Sequence, residues 1–271
     1  YTRSLHDVVP ISGVCLMCEL LGINTNTAID VNKYLYTFFS HSVNHPHGWG
    51  IMRSVNGRYT TFKEPVRAID SGVITDITTK TEMQTNLLAH IRLATVGITK
   101  YNNCHPFTGL DLEGRQWTLI HNGTIYSGTM LMKYLNTQIG ETDSERIFMY
   151  LLNEMNDAVK KNGAPLTKNQ RFEIINRLVT ELSPRNKLNL MIFDGDVLYV
   201  HKNMKDTLYF KEISEGYVFS TQPLDDEKWA PFPTSQVIAY KNGAILFEGT
   251  PHGHEFVPTL EYITALDAMN I

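Results

Sequence analysis

The apolar pattern of the chain runs strand, helix, strands, helices, strands. Residues 19–24 (ELLGIN) read as a short strand, and residues 27–40 (TAIDVNKYLYTFFS) as a helix. Residues 48–53 and 59–63 read as two strands joined at Asn56-Gly57, a pair that suits a tight hairpin turn. Residues 86–92 (NLLAHIR) and 116–121 (QWTLIH) are apolar, strand-like runs.

The period then changes. Over 144–159, Ile147, Tyr150, Leu151 and Met155 recur at helical spacing, and Thr142, Asp143 and Ser144 precede them as capping candidates. A second helix is predicted over 168–182, with Phe172, Ile175, Leu178, Val179 and Leu182 on one face and Pro184 to end it. After residue 187 the strand signals return as LNLMIF, VLYVHK, TLYFKEI, YVFST, QVIAY and AILFEG, with Asp194-Gly195 and Asn242-Gly243 as hairpin turns. Two groups of strands around two adjacent helices predict layered α+β packing. Helices outside two stacked sheets would make four layers in one domain; two domains fit the same pattern.

Composition narrows the function classes. The 271 residues suffice for one large domain or two small ones. A net charge of −4 with no basic block argues against nucleic acid as a partner, because phosphate binding needs clustered Lys and Arg. No apolar run approaches the length of a transmembrane helix, so no membrane is expected. Pro10, Ser12 and Gly13 break the N-terminal apolar patch and make it a poor signal peptide. Three cysteines, Cys15, Cys18 and Cys104, do not make a disulfide framework, and a cytoplasmic, reducing compartment is expected.

Four segments carry chemistry. Cys18, in MCELLG, is a candidate nucleophile. A thiol reacts as thiolate and needs a base, and no sequence neighbour supplies one. Its own α-amino group would, with an ordinary pKa of roughly 7.7–8.0, if Cys18 were residue one. A buried cysteine at a strand start is the plainer reading of Cys18 alone. Arg92, in HIRLAT, stands at a strand end and could grip a carboxylate with both prongs, though a surface ion pair is the commoner use. Asn122 and Gly123, in HNG, could aim an amide and a backbone N–H at an oxyanion, or form an ordinary turn. Asp143, in ETDSE, could hold a substrate ammonium or serve the helix start.

Together these segments resemble the class II glutamine amidotransferases, and within them a short, stand-alone branch that begins Met-Cys-Glu-Leu-Leu-Gly. The resemblance runs from Cys18 through Gly48-Trp49-Gly50-Ile51, HIRLAT, His105-Pro106-Phe107, HNG and ETDSE to Ser220-Thr221-Gln222-Pro223-Leu224, most of residues 18–250 in order. It implies an αββα sandwich of the N-terminal-nucleophile hydrolase type. It implies Cys18 as a nucleophile served by its own amine, and Asn122 and Gly123 as the oxyanion pair. Arg92 would grip the substrate α-carboxylate, with Thr95 nearby, and Asp143 its α-amino group. Trp49 and His105 are expected to support the substrate site. The implied reaction is hydrolysis of a γ-glutamyl amide, in glutamine or a γ-glutamyl conjugate, with no cofactor and no metal.

The chain departs from the family pattern in two places. Residues 1–17 precede Cys18 and are expected to be a removable propeptide or other upstream residues, with one amidotransferase domain over 18–271. His47 stands before Gly-Trp-Gly where relatives often carry Asp. His41, His45 and His47 cluster, but no Cys or carboxylate completes a metal pattern, and a polar loop is expected. Cys15-Leu-Met-Cys18 lacks the context of a redox motif. The leading function is a hydrolase of a small-molecule γ-glutamyl substrate. The alternatives are an ammonia-donating glutaminase for a separate synthetase subunit, and a non-catalytic binding protein in which Cys18 stays blocked.

Overall fold

The computed structural model describes residues 17–94, 97–259 and 264. The expected propeptide or upstream segment, apart from Met17, lies outside these residues, as do Cys15 and Thr95. In chain order the elements are β1 (Glu19–Asp30), α1 (Asn32–Ser40), β2 (Trp49–Val55), β3 (Arg58–Glu64), α2 (Gly72–Thr78), β4 (Met83–Ile91), β5 (Phe107–Leu110), β6 (Gln116–Thr124), α3 (Asp143–Asn162) and α4 (Lys168–Leu182). They continue with β7 (Lys187–Phe193), β8 (Leu198–Lys202), β9 (Tyr209–Ile213), β10 (Gly216–Ser220), β11 (Ala230–Pro231), β12 (Gln236–Lys241) and β13 (Ala244–Glu248). The strands form a seven-stranded sheet, β11-β9-β10-β1-β4-β2-β3, and a six-stranded sheet, β13-β12-β8-β7-β6-β5.

Strand alternation builds the layers. Successive side chains point to opposite faces, so Leu20 and Leu21 of β1 enter different cores. Leu20 joins Met52, Leu88, Ile120, Met191 and Val200 between the two sheets. Leu21 and Ile23 instead pack with Tyr34, Leu35 and Phe38 of α1 and with Ile74 and Ile77 of α2. On the far face of the second sheet, Leu119, Leu188, Leu190 and Ile192 meet Ile147 and Leu151 of α3 and Ile175 and Leu178 of α4. Three apolar interfaces separate four layers, and the fold is an α+β sandwich of the αββα kind.

The local signals act where they were read. Asn56 and Gly57 take φ of 51° and 75°, and Asn242 and Gly243 take 51° and 71°, the paired left-handed conformations of a two-residue hairpin. Thr142 caps α3 by accepting from Glu145 N at 3.2 Å, and Thr167 with Gln170 makes a capping box on α4. Two expectations need correction. The predicted helix over 27–40 starts only at Asn32, because β1 resumes pairing with β4 after a bulge, Ile29 opposite Gln84 and Asp30 opposite Met83. Asp194-Gly195 lies in the longer loop 194–197, where Asp194 Oδ1 accepts from Asp196 N at 2.9 Å and Val197 N at 2.7 Å.

Candidate active site

Register brings the cysteine and the arginine together. Glu19 of β1 and Trp49 of β2 both stand opposite Ile91 of β4, so Cys18, Gly48 and Arg92 lie side by side at one end of the sheet. Arg92 N donates to Gly48 O at 2.8 Å, and the Cys18 thiol donates to Leu93 O at 3.3 Å. Burial pushes the half-buried thiol above its ordinary pKa range; the Leu93 bond and the charges of Arg92 and Lys187 pull it back only in part. Its hydrogen-bond partner is a carbonyl, which cannot take a proton. The Arg92 guanidinium is buried and donates to loop carbonyls, Nη2 to Gly97 O at 3.1 Å and Nη1 to Ile98 O at 3.3 Å. Glu141 steadies that loop by accepting from Ile98 N at 3.0 Å and Lys100 Nζ at 2.8 Å.

The second sheet supplies the facing groups. Asn122 and Gly123 lie just before Thr124, the last residue of β6, opposite Asn189 and Leu188 of β7. Lys187, the first residue of β7, is fully buried and donates to Asn122 Oδ1 at 3.0 Å and to Met17 Sδ at 2.8 Å. Asn122 is thereby tied to the residue joined to Cys18. Its amide is also oriented, since the oxygen must face the ammonium and the NH₂ must face elsewhere. Gly123 is required by space, for a Cβ there would sit 2.1 Å from Lys187 O and 2.4 Å from His121 Nε2. Asp143 opens α3 and accepts from Ile125 N at 2.7 Å and from Ser144 N at 2.8 Å, which ties the helix start to the end of β6. Ser144 Oγ in turn shares a 2.9 Å bond with His121 Nδ1.

This geometry gathers Cys18 and Arg92 at one strand end, and Asn122, Gly123 and Asp143 at another linked to it through Lys187 and Met17. The family profile for the class II glutamine amidotransferases matches residues 17–213, a span that holds all five. The chain belongs to that family. It is an amidohydrolase, like the other members. An uncharacterized protein of Methanocaldococcus jannaschii is 30% identical over 261 residues, spanning 85% of this chain and 71% of its own. The Escherichia coli protein YafJ, named as a candidate glutamine amidotransferase, is 31% identical over 182 residues, spanning 66% of this chain and 70% of its own. Among solved structures, a glutamine amidotransferase candidate from Pseudomonas aeruginosa superposes with a TM-score of 0.58 at 22% identity, over 85% of this chain and all of that one. The glutamine phosphoribosylpyrophosphate amidotransferase of B. subtilis gives 0.63 at 15% identity, over 89% of this chain and 50% of that one. At those identities the structures attest the fold alone.

Two further residues of the amidotransferase sit in packing positions. Trp49 is fully buried beneath α1, edge-on to Phe39 at 6.0 Å. His105 is buried with its ring 4.1 Å from that of His90 and edge-on to Phe107 at 4.8 Å. Enclosure drives both imidazoles well below the ordinary histidine pKa, so they are neutral. Among the described residues no helix of the enzyme is long and apolar enough to cross a membrane.

Other parts of the site had no role assigned from the sequence. Glu19 is buried and accepts from His41 Nδ1 at 2.8 Å and Gln222 Nε2 at 2.7 Å. Thr221 brackets Leu20, its hydroxyl accepting from Leu20 N at 2.8 Å and its N–H reaching Leu20 O at 3.0 Å. The Ser-Thr-Gln-Pro-Leu segment is thus a brace for the start of β1. His45 is buried with Nδ1 2.8 Å from His41 O and Nε2 2.6 Å from Met17 O. Both partners are backbone carbonyl oxygens, and Glu19 Oε1 lies 3.7 Å from Nε2. A cavity of about 380 Å³ opens beside these groups, bounded by Met17, Glu19, His45, Asn122, Lys187 and Thr221 among others. The signal for Lys187 was a cation opening an otherwise apolar strand, KLNLMIF. Glu19 was marked only by adjacency to Cys18, and His45 only by the histidine cluster read as a polar loop.

Proposed function

We propose that this amidotransferase hydrolyses a γ-glutamyl amide bond through a thioester on Cys18, in a form whose first residue is Cys18. The observation that carries the reading is the thiol itself: burial raises its pKa, and its bonded partner is a carbonyl. It needs a base, and a free α-amine on the same residue meets that need. Arg92 takes the α-carboxylate of the glutamyl group, and Asp143 takes the ammonium. The thiolate adds to the γ-carbon, and the oxyanion is met by the Asn122 amide and the Gly123 N–H. The C–N bond breaks as the leaving nitrogen takes a proton from the α-ammonium. Water then adds to the thioester, glutamate leaves and the thiolate is restored. A reducing, cytoplasmic setting suits this chemistry.

Met17 favours a second reading. With the Met17–Cys18 peptide intact the nitrogen is an amide, its carbonyl is held by His45, and the chain binds γ-glutamyl compounds without cutting them. An ammonia-donating role toward a separate synthetase subunit uses the same Cys18 chemistry. Intact mass, labelling by a diazoketone analogue of glutamine, and turnover of glutamine and γ-glutamyl amides separate the readings. A species that begins at Cys18, labels there and releases glutamate is expected. Label and turnover both absent from such a species would refute the hydrolase.

A further inference from the structure

The nitrogen of Cys18 tells where the departing amine must sit. In the hydrolytic reading, on which this inference rests, that nitrogen hands its proton to the leaving group, so the two must be neighbours. Met17 hangs from the same nitrogen. Whatever surrounds Met17 therefore surrounds the space into which the amine departs. Met17 borders the cavity of about 380 Å³, as does Asn122, the side chain assigned to the oxyanion. Ammonia needs only about the 30 Å³ that a water molecule takes in the liquid. The cavity is an order of magnitude too large for glutamine's leaving group and has the size for an organic amine.

Its charge defines that amine further. Lys187 is fully buried, yet its ammonium lies 2.8 Å from Met17 Sδ on the cavity side and 3.0 Å from Asn122 Oδ1. The buried His45 ring lies on the same wall, its Nε2 2.6 Å from Met17 O. Thr221 and Gln222 line the cavity, as do Lys205 and Asp206, both exposed. A buried ammonium on a cavity wall selects an anion, and a carboxylate makes the strong, charge-assisted bond with it. We infer that this cavity is the leaving-amine subsite and that Lys187 reads a carboxylate on the departing amine. The preferred substrates are γ-glutamyl amino acids or short γ-glutamyl peptides.

The test compares γ-glutamyl-alanine, γ-glutamyl-alaninamide and glutamine on the purified chain in the form that labels at Cys18. The first two differ only in the leaving-group carboxylate. The expected kcat/KM for the acid exceeds that for the amide by tenfold or more, about 1.4 kcal/mol of discrimination, and exceeds that for glutamine too. Lys187→Met is expected to bring the acid-to-amide ratio to within about threefold, whatever it does to absolute rates through Asn122, and Lys187→Arg to keep the preference. A ratio reports selection, which general damage to the fold leaves in place. Should Lys187→Met fail to fold, the parent ratio and the Lys187→Arg ratio still decide. Equal rates on acid and amide in the parent, or an unchanged ratio in Lys187→Met, would overturn the subsite while leaving the hydrolase intact. No turnover of any of the three overturns the hydrolase reading, and the subsite with it.

Discussion

Asn122→Asp separates the two jobs assigned to one side chain. Asn122 is buried, with Oδ1 3.0 Å from the Lys187 ammonium, so its NH₂ is the end left for the oxyanion. The aspartate substitution keeps the shape and strengthens the contact with Lys187, but puts an anion where the donor stood. Loss of one oxyanion donor costs on the order of 10²–10³ in kcat, about 2.7–4 kcal/mol. Stability should stay within about 1 kcal/mol, because a hydrogen bond to a charged group, worth roughly 1.5–3 kcal/mol, is kept. Asn122→Ala removes donor and acceptor together, so both kcat and stability should fall. The assays are glutamate release from a γ-glutamyl amide and urea denaturation of the same preparations. A fall in stability without a fall in kcat for Asn122→Asp would refute the oxyanion role.

Three further outcomes follow from the same geometry. Gly123→Ala drives a methyl to 2.1 Å from Lys187 O, a backbone atom that cannot yield, and to 2.4 Å from the buried His121 ring nitrogen Nε2; overpacking should cost about 1–3 kcal/mol in urea denaturation, and activity should drop with it. Arg171→Met strands the buried Asp194 carboxylate, which the guanidinium meets at 2.7 Å, and should cost about 3–5 kcal/mol by the same measurement; a loss under 1 kcal/mol would contradict the burial argument. Acid should weaken the fold through buried histidines. His201 is pushed down to about 3 by burial and by His252, whose Nε2 lies 3.0 Å from its own, while His90, His105 and His121 are also lowered by burial. Below the unfolded value of about 6.5 the unfolded chain takes up protons that the folded chain refuses, so stability falls with pH, by up to about 1.4 kcal/mol per unit for each such histidine. For His201 the loss is complete near pH 3. A denaturation midpoint that is flat from pH 7 to 5, or a slope unaltered in His201→Gln, would disprove this.

What the chain settled locally was considerable. Apolar spacing marked α3 and α4, Asn-Gly pairs marked two hairpins, and ordered motifs pointed to the family, because each is a short-range preference of a few neighbouring residues. The strand character of Thr25–Asp30 was hidden, since its residues are largely polar and only pairing with β10 at Thr25 and with β4 at Ile29 and Asp30 makes them a strand. α2 and β5 are short and carry weak patterns of their own. The clamp on Glu19 joins residues 203 positions apart, and the one on Met17 joins residues 170 apart. Distances of that kind are fixed by how two sheets stack and in which register, which no local propensity encodes. Sequence named Cys18 and its expected helpers; only the tertiary structure put a buried lysine and a buried histidine around the residue that precedes it.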